Sequence, residues 1–279
     1  MNCQLKLKRL VYKWSLFNQL CALCSAPAFQ PYALCEPCEQ QLPWLDDDHC
    51  SRCALPLVMA GMECGQCNRR PPAFERVLAP WHFTFPVDTL ITRFKHNRQW
   101  PLGRLMAEIA GHALIHHYAE DLPRPDVLLA VPMTRRRLRE RGFNQAAMLA
   151  RWWSRQLAVP FAEHLLVRTR HTMAQQHLSA KARWRNLRQA FAVCDGLHGQ
   201  HVALVDDVLT TGATAQAVAQ VLRKAGAARV DVYCLARTPK PGYAMSLQAS
   251  GGDAVVRYAH PVHWPITKPV GCPCPYLPH

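Results

Sequence analysis

Residues 202–215, VALVDDVLTTGATA, decide the fold of this chain. Four apolar residues run into two adjacent carboxylates, a short Thr/Gly loop follows, and the helical stretch AQAVAQVLRKAGA begins. A continuous apolar run is the pattern of a strand buried on both faces, so 202–205 reads as a central parallel strand ending at Asp206. The loop passes through Thr210, Thr211, Gly212, Ala213 and Thr214. Its hydroxyls and the N–H groups of the following helix's first turn make a cradle for a phosphate monoester. Asp206 and Asp207 stand just before it, placed to accept hydrogen bonds from the hydroxyls of a ribose. Carboxylates for a sugar and a helix end for a phosphate together describe a ribose-5-phosphate site. An ordinary acidic turn with a Thr cap is the plain alternative, and it explains the Asp pair without explaining the cradle in register with it. A Walker loop, GxxxxGK[ST], has no counterpart in the motif.

Working outward, strands and helices alternate from about residue 78. VLAPWHFTF, DVLLAVP, HLLVR, FAV and RVDVYCLAR read as strands, and DTLITRFKHNRQ, LGRLMAEIAGHALIHHYAE and GFNQAAMLARWWSRQLA read as helices. The expected fold is therefore α/β, a parallel sheet with helices on both faces. Ligands in such a fold bind beyond the carboxyl ends of the strands. Two further basic segments fall at that end. In 131–145, VPMTRRRLRERGFNQ, arginines follow a strand directly, and guanidinium groups pair with phosphate oxygens in bidentate fashion. Arg135, Arg136 and Arg137 are candidate pyrophosphate contacts, and Arg141 fixes the turn or touches the same ligand. Lys95 is a further candidate anion contact. The segment 168–186, RTRHTMAQQHLSAKARWRN, reads either as a lid over a phosphorylated ligand or as a nucleic-acid contact with Trp184 as a stacking surface. His112 and His116 share a helical face without a third ligand, which leaves them as surface or core histidines.

The N-terminal quarter has a different chemistry. Cys21/Cys24, Cys35/Cys38, Cys50/Cys53 and Cys64/Cys67 form four CxxC pairs at nearly even intervals. Two such turns complete a tetrahedral all-thiolate site with no open position, which is structural rather than catalytic. Two structural zinc ions follow, with sequential pairing favoured over a cross-brace because each site then closes a short loop. Even repetition favours zinc over iron–sulfur or redox chemistry, and the short span between residues 21 and 67 has too few large hydrophobes to fold on core burial alone. Cys194 and Cys234 fall in expected strands as small core residues. Cys272 and Cys274 read as incidental.

The chain divides on this reading into a basic amphipathic helix at 1–20, a double zinc ribbon at 21–67 and a linker at 68–77. The α/β domain follows at 78–237, with a poorly ordered Pro/Gly-rich tail at 238–279. A composition that is 49% hydrophobic and 19% charged excludes a disordered chain. The formal charge of +14 points to an anionic partner, and two fully thiolate-bound zinc sites leave the chain strongly basic. Without a signal-like segment or an apolar run of spanning length, the expected location is cytoplasmic. The helix at 4–20 reads first as packed on its own domain; lying on lipid instead, it would put the chain at the inner face of the membrane.

Assembled, these residues resemble the ComF/GntX family of competence and DNA-utilization proteins. The matching blocks are the cysteine pairs, RRRLRERGFNQAAMLA at 135–150, VALVDDVLTTGATAQAVAQVLRKAGA at 202–227 and, more weakly, 168–186. The resemblance spans 15–237 and brings in the phosphoribosyl pyrophosphate (PRPP) motif of type I phosphoribosyltransferases. It implies a role in uptake or use of exogenous DNA. Asp206 and Asp207 would hold the ribose hydroxyls and Thr210 to Thr214 the 5-phosphate, with Mg²⁺ bridging pyrophosphate and ribose oxygens. Single-stranded DNA is the partner implied for the zinc head and basic loops. An active phosphoribosyltransferase with an unidentified acceptor is the first alternative. A zinc-ribbon docking module for a helicase or membrane translocation complex is the second. No catalytic side chain is assigned.

Overall fold

The computed structural model describes residues 19–45, 47–120, 122–169 and 190–240. The helix expected at 1–20 up to residue 18, the segment 170–186 with Trp184, and the tail from 241 with Cys272 and Cys274 lie outside the described residues. Two compact units are present, the first holding the described residues up to Leu42 and the second Pro43–Pro241.

In the first unit, β1 (Gln19–Leu20) pairs antiparallel with β2 (Pro27–Ala28), and α1 (Glu36–Gln40) follows. Residues 19–20 are therefore strand rather than the end of a helix. The reason is local, because the Cys21 N–H bonds to the Ala26 carbonyl at 2.7 Å and draws the chain into a tight knuckle. Ser25 closes that knuckle in the left-handed region at φ 60°. The Glu39 carboxylate then ties α1 to the preceding loop by accepting from Gln30 Nε2 at 2.8 Å and from the Tyr32 hydroxyl at 2.6 Å.

The second unit opens with a repeat of this design. Cys50–Ala54 forms a knuckle in which the Cys50 N–H bonds to the Leu55 carbonyl at 2.8 Å, and Ala54 takes φ 53°. Next come α2 (Gly65–Arg69), β3 (Arg76–Leu78), β4 (Trp81–His82), α3 (Val87–Asn97), α4 (Trp100–Ala119) and β5 (Val127–Ala130). After them come α5 (Arg135–Arg141), α6 (Gln145–Leu157), β6 (Leu166–Arg168), β7 (Phe191–Val193) and β8 (His201–Val205). The described part ends with β9 (Val208–Leu209), α7 (Ala213–Lys224), β10 (Arg229–Tyr233) and β11 (Ala236–Arg237).

The main sheet runs β3-β10-β8-β5, all parallel, so the motif strand β8 is central as its apolar run demands. Alternation along the strands sorts side chains to two buried faces. Val202, Leu204, Val230, Val232, Val127 and Leu129 share a core cluster with Val218, Ala219 and Leu222 of α7. On the opposite face, Tyr233 accepts a hydrogen bond from Tyr118 of α4 at 3.0 Å, and the Trp153 indole of α6 locks onto the Ala107 carbonyl of α4 at 2.8 Å. Gly103 lets α4 approach α3, because a Cβ there would meet the Phe94 ring at 2.5 Å.

Three adjacent strands break at one level. β3, β10 and β8 each lapse for two residues and resume as β4, β11 and β9, which pair again as a parallel set. VLAPWHFTF and RVDVYCLAR are thus each two short strands where one was expected. Pro80 lacks the donor a ladder needs, and in β8 the lapse is Asp206-Asp207 itself.

The segment at 68–77, expected as a linker, is built into the second unit. Phe74 and Val77 lie in the sheet's core cluster, the Ala73 N–H bonds to Gln216 Oε1 at 2.7 Å, and Glu75 accepts from the Val230 N–H at 2.8 Å. The second knuckle joins the same core through Ala54, with Cys53 packed against it. Trp44 crosses Trp81 at 5.5 Å between ring centroids. Cys194 corrects another expectation, since it lies just past β7 and is exposed, whereas Cys234 is buried.

Candidate functional site

The acidic pair sits where β8 lapses. The Asp206 N–H bonds to the Tyr233 carbonyl at 3.0 Å, and the Asp207 carbonyl accepts from the Leu235 N–H at 3.0 Å. Both residues are thereby fixed to the neighbouring strand. Each carboxylate also accepts from the next amide, Asp206 Oδ1 from Asp207 N–H at 2.9 Å and Asp207 Oδ1 from Val208 N–H at 2.7 Å. The second oxygen of Asp207 meets Lys95 Nζ at 2.9 Å. Lys95, on the last turn of α3, therefore partners an acid rather than standing free for an anion.

Desolvation first, and then the charge of Asp207, push the Asp206 carboxyl well above the usual carboxylate range. A raised native pKa means the folded chain holds a proton that the unfolded chain has lost, so stability falls as pH rises toward that pKa. Asp206→Asn mimics the protonated form. In Mg²⁺-free buffer its melting temperature should exceed that of the wild type by a margin that widens from about pH 4 toward the raised value of about 8 and levels off above it, at about 2–4 °C per kcal/mol in a domain of this size. Parallel melting curves across that range would show that Asp206 carries no such strain.

Beyond β9, Thr210 and Thr211 are exposed and Gly212 takes φ +76°, the left-handed geometry that lets the chain turn into α7. The Thr211 hydroxyl accepts from the Ala213 N–H at 3.4 Å. No acidic side chain occupies the first turn of α7, which leaves its positive end without a compensating anion.

The candidate arginines stand after β5, the strand beside β8. Arg135, Arg136 and Arg137 form the first turn of α5, a helix rather than the expected loop, because Thr134 caps it and Gly142 ends it at φ +86°. All three are exposed, and Arg136 pairs with Glu140 at 2.8 Å. Arg168 lies over the Phe191 ring at 5.1 Å, and burial followed by the nearby Arg137 disfavours its charge. His116 pairs with Glu120 at 3.3 Å on the surface.

Arg237 escaped the sequence reading altogether. It is 5% exposed and donates to the carbonyls of Leu209 at 3.0 Å, Thr238 at 2.8 Å and Thr210 of the Thr/Gly loop. Its Nε donates to the carbonyl of Cys53 at 2.7 Å. The signal available was an arginine closing the apolar run VYCLA at 232–236.

The eight CxxC cysteines gather into two quartets, Cys21/Cys24/Cys35/Cys38 and Cys50/Cys53/Cys64/Cys67, with sulfurs within 4.8 Å of one another. The grouping is sequential. Cys24 and Cys35 sulfurs lie 3.6 Å apart and Cys53 and Cys64 sulfurs 3.8 Å apart, close to the ~3.8 Å edge of a tetrahedron with Zn–S bonds of about 2.3 Å. Burial and neighbouring thiols push Cys35 and Cys53 up to about 11 while hydrogen bonds from Cys38 and Cys67 lower Cys21 and Cys64, so four thiolates together in a quartet need a cation among them. The donor set and its spacing fit zinc.

Two family models match the chain: the double zinc ribbon domain over residues 14–68 and the phosphoribosyl transferase domain over 144–255. The DNA utilization protein YhgH of Escherichia coli O157:H7 is 35% identical over 78% of this chain and 97% of its own length. Competence protein F of Haemophilus influenzae is 32% identical over 80% of this chain and 99% of its own. Among solved structures, a purine phosphoribosyltransferase from Pyrococcus horikoshii matches 47% of this chain and 73% of its own at 20% identity and a TM-score of 0.29. Among the described residues, no helix is long and apolar enough to cross a membrane.

Proposed function

This chain belongs to the family of DNA utilization protein YhgH and competence protein F, and on that premise we propose that it serves the use of exogenous DNA, holding PRPP with Mg²⁺ at the 206–214 turn and single-stranded DNA on its basic surface. The observation that carries the ligand assignment is the acidic pair at the lapse of the central strand, followed at once by the Gly212-led start of α7. Asp206 and Asp207 accept from the 2′- and 3′-hydroxyls, and the first turn of α7 donates to the 5-phosphate. Mg²⁺, when bound, neutralises the pyrophosphate and draws Asp206 into its charged form. The sites for sugar and phosphate need no side-chain nucleophile, so the same turn serves a binding protein or a transferase that works by positioning and charge. Release of pyrophosphate from PRPP in the presence of bases, nucleosides or DNA ends separates the two. No release with any acceptor leaves the binding role.

The DNA part of the proposal is supported by one surface. Trp100 is 51% exposed and meets Phe143 edge-on at 6.2 Å. The Arg98 guanidinium lies over Gly142, whose added Cβ would sit 3.2 Å from it, and α5 carries exposed arginines beside that glycine. An aromatic platform among cations suits unstacked bases over a phosphate backbone. With a labelled oligonucleotide, affinity should fall steeply with salt, and Trp100→Ala should weaken it by about tenfold, the value of one stacked base. A flat salt response with an unaffected variant would favour the docking reading, for which Val58, Met59 and Met62 of the second ribbon supply an exposed apolar edge.

A further inference from the structure

Arg237 joins two sites that the sequence keeps far apart. Its guanidinium is buried and spends its donors on carbonyls, those of Leu209, Thr210 and Thr238 on one side and that of Cys53 on the other. Leu209 and Thr210 lead into the Thr/Gly loop, while Cys53 is a member of the second thiol quartet and Ala54, next to it, is left-handed at the end of the knuckle. Arginine suits this post because its planar fork reaches several acceptors in fixed directions. A loop rich in Thr and Gly has little packing of its own to hold it, since Thr210 and Thr211 are exposed and Gly212 meets nothing within 4 Å of an added Cβ. Leu209 is held by the core and by its pairing with β11; the next carbonyl, that of Thr210, is held by Arg237, and the far side of Arg237 is held by the carbonyl of a zinc-binding knuckle.

We propose that Arg237 is a positioning residue that ties the phosphate-facing loop to the second zinc site, so that order at either one favours order at the other. The link is reciprocal by thermodynamic necessity. A metal-filled quartet holds the Cys53 carbonyl still, Arg237 carries that to Leu209 and Thr210, and a phosphorylated ligand settling on the loop makes the second zinc harder to remove. Loss of that zinc, by oxidation of the thiols or by chelation, would loosen the loop.

The test uses the full zinc-loaded chain with Arg237→Gln and Arg237→Lys. Hydrogen exchange at 208–213 should quicken by about tenfold or more in the Gln variant, as for a segment whose local opening has become easier, while 201–205 and 229–233 keep their protection. In the same variant, one of the two zinc ions should pass to a chromogenic chelator about tenfold faster than in wild type. The Lys variant, which keeps the charge and loses the fork, should fall between, and it carries the test if the Gln variant does not fold. Change in the loop without change in zinc release, or the reverse, overturns the tie, as does wild-type behaviour in both. A further arm rests on the proposed ligand: ribose 5-phosphate should slow release of one zinc in the wild type and not in Arg237→Gln. Should it have no effect on the wild type while the first two readouts change, the tie stands and the ligand assignment falls.

Discussion

Titrated with PRPP and Mg²⁺ in a calorimeter, the Asp206→Asn/Asp207→Asn chain should take up no ligand at concentrations that saturate the wild type. The expected loss is at least ~100-fold, because two hydrogen bonds to charged acceptors go and each is worth about 1.5–3 kcal/mol. Asn keeps the size of Asp and the carbonyl that accepts from the next amide, so the local turn at Asp207 and Val208 N–H survives. One complication is built into the site. Removing the Asp207 charge leaves Lys95, at 2.9 Å, without its carboxylate partner, and a cation freed in this way would attract the ligand's pyrophosphate. Lys95→Gln in the same background removes that residual attraction. Equal binding by wild type and double variant would refute the assignment of the acidic pair, whatever the state of the zinc sites.

The parallel sheet was legible because its information is one-dimensional. Val202 to Val205 had to be buried on both faces, and a strand of that kind is central in any sheet that has one. The pairing of cysteines was legible for a similar reason, as short loops close at least entropic cost. What could not be read was the lapse shared by three strands. Asp206-Asp207 marks it by charge and Pro80 by its missing donor, but Cys234-Leu235 is apolar and looks like strand, and no single segment shows that the three breaks share one level. Arg237 was hidden more deeply, since its role rests on a contact with Cys53, far away in the chain. In 135–141, charge drew attention away from capping. Thr134 and Gly142 bracket a short helix by signals present in the sequence, whereas Arg135, Arg136 and Arg137 read there as ligands for an anion and Arg141 as a turn residue or part of the same contact. The linker reading of 68–77 rests on Pro71-Pro72, which is a true break, yet Phe74 and Val77 just after it are core.

The second large effect concerns the metal, and the two quartets should differ in it. Metal analysis of the wild type should give two zinc per chain, and Cys64→Ser/Cys67→Ser should give one. Zinc binding in small finger peptides is worth ~10–16 kcal/mol, as much as the whole stability of an ordinary domain, about 5–15 kcal/mol. In this chain, the second quartet is part of the unit that holds the sheet. Ala54 lies in the sheet's main core cluster with Cys53 packed against it, and the Cys53 carbonyl satisfies a buried guanidinium. Loosening the knuckle exposes that core and strands the buried Arg237 Nε–H without its acceptor, two mechanisms that each destabilise by more than a surface change does. The melting transition of the sheet should therefore drop by well over 10 °C, at about 2–4 °C per kcal/mol, and PRPP affinity should fall with it. Cys35→Ser/Cys38→Ser also removes one zinc, but its quartet belongs to the unit ending at Leu42, so the main transition should stay in place. A sheet that melts at the wild-type temperature after loss of the second zinc would mean the Pro43–Pro241 unit stands without its metal, and the ribbon would then be an appendage to the fold rather than part of it.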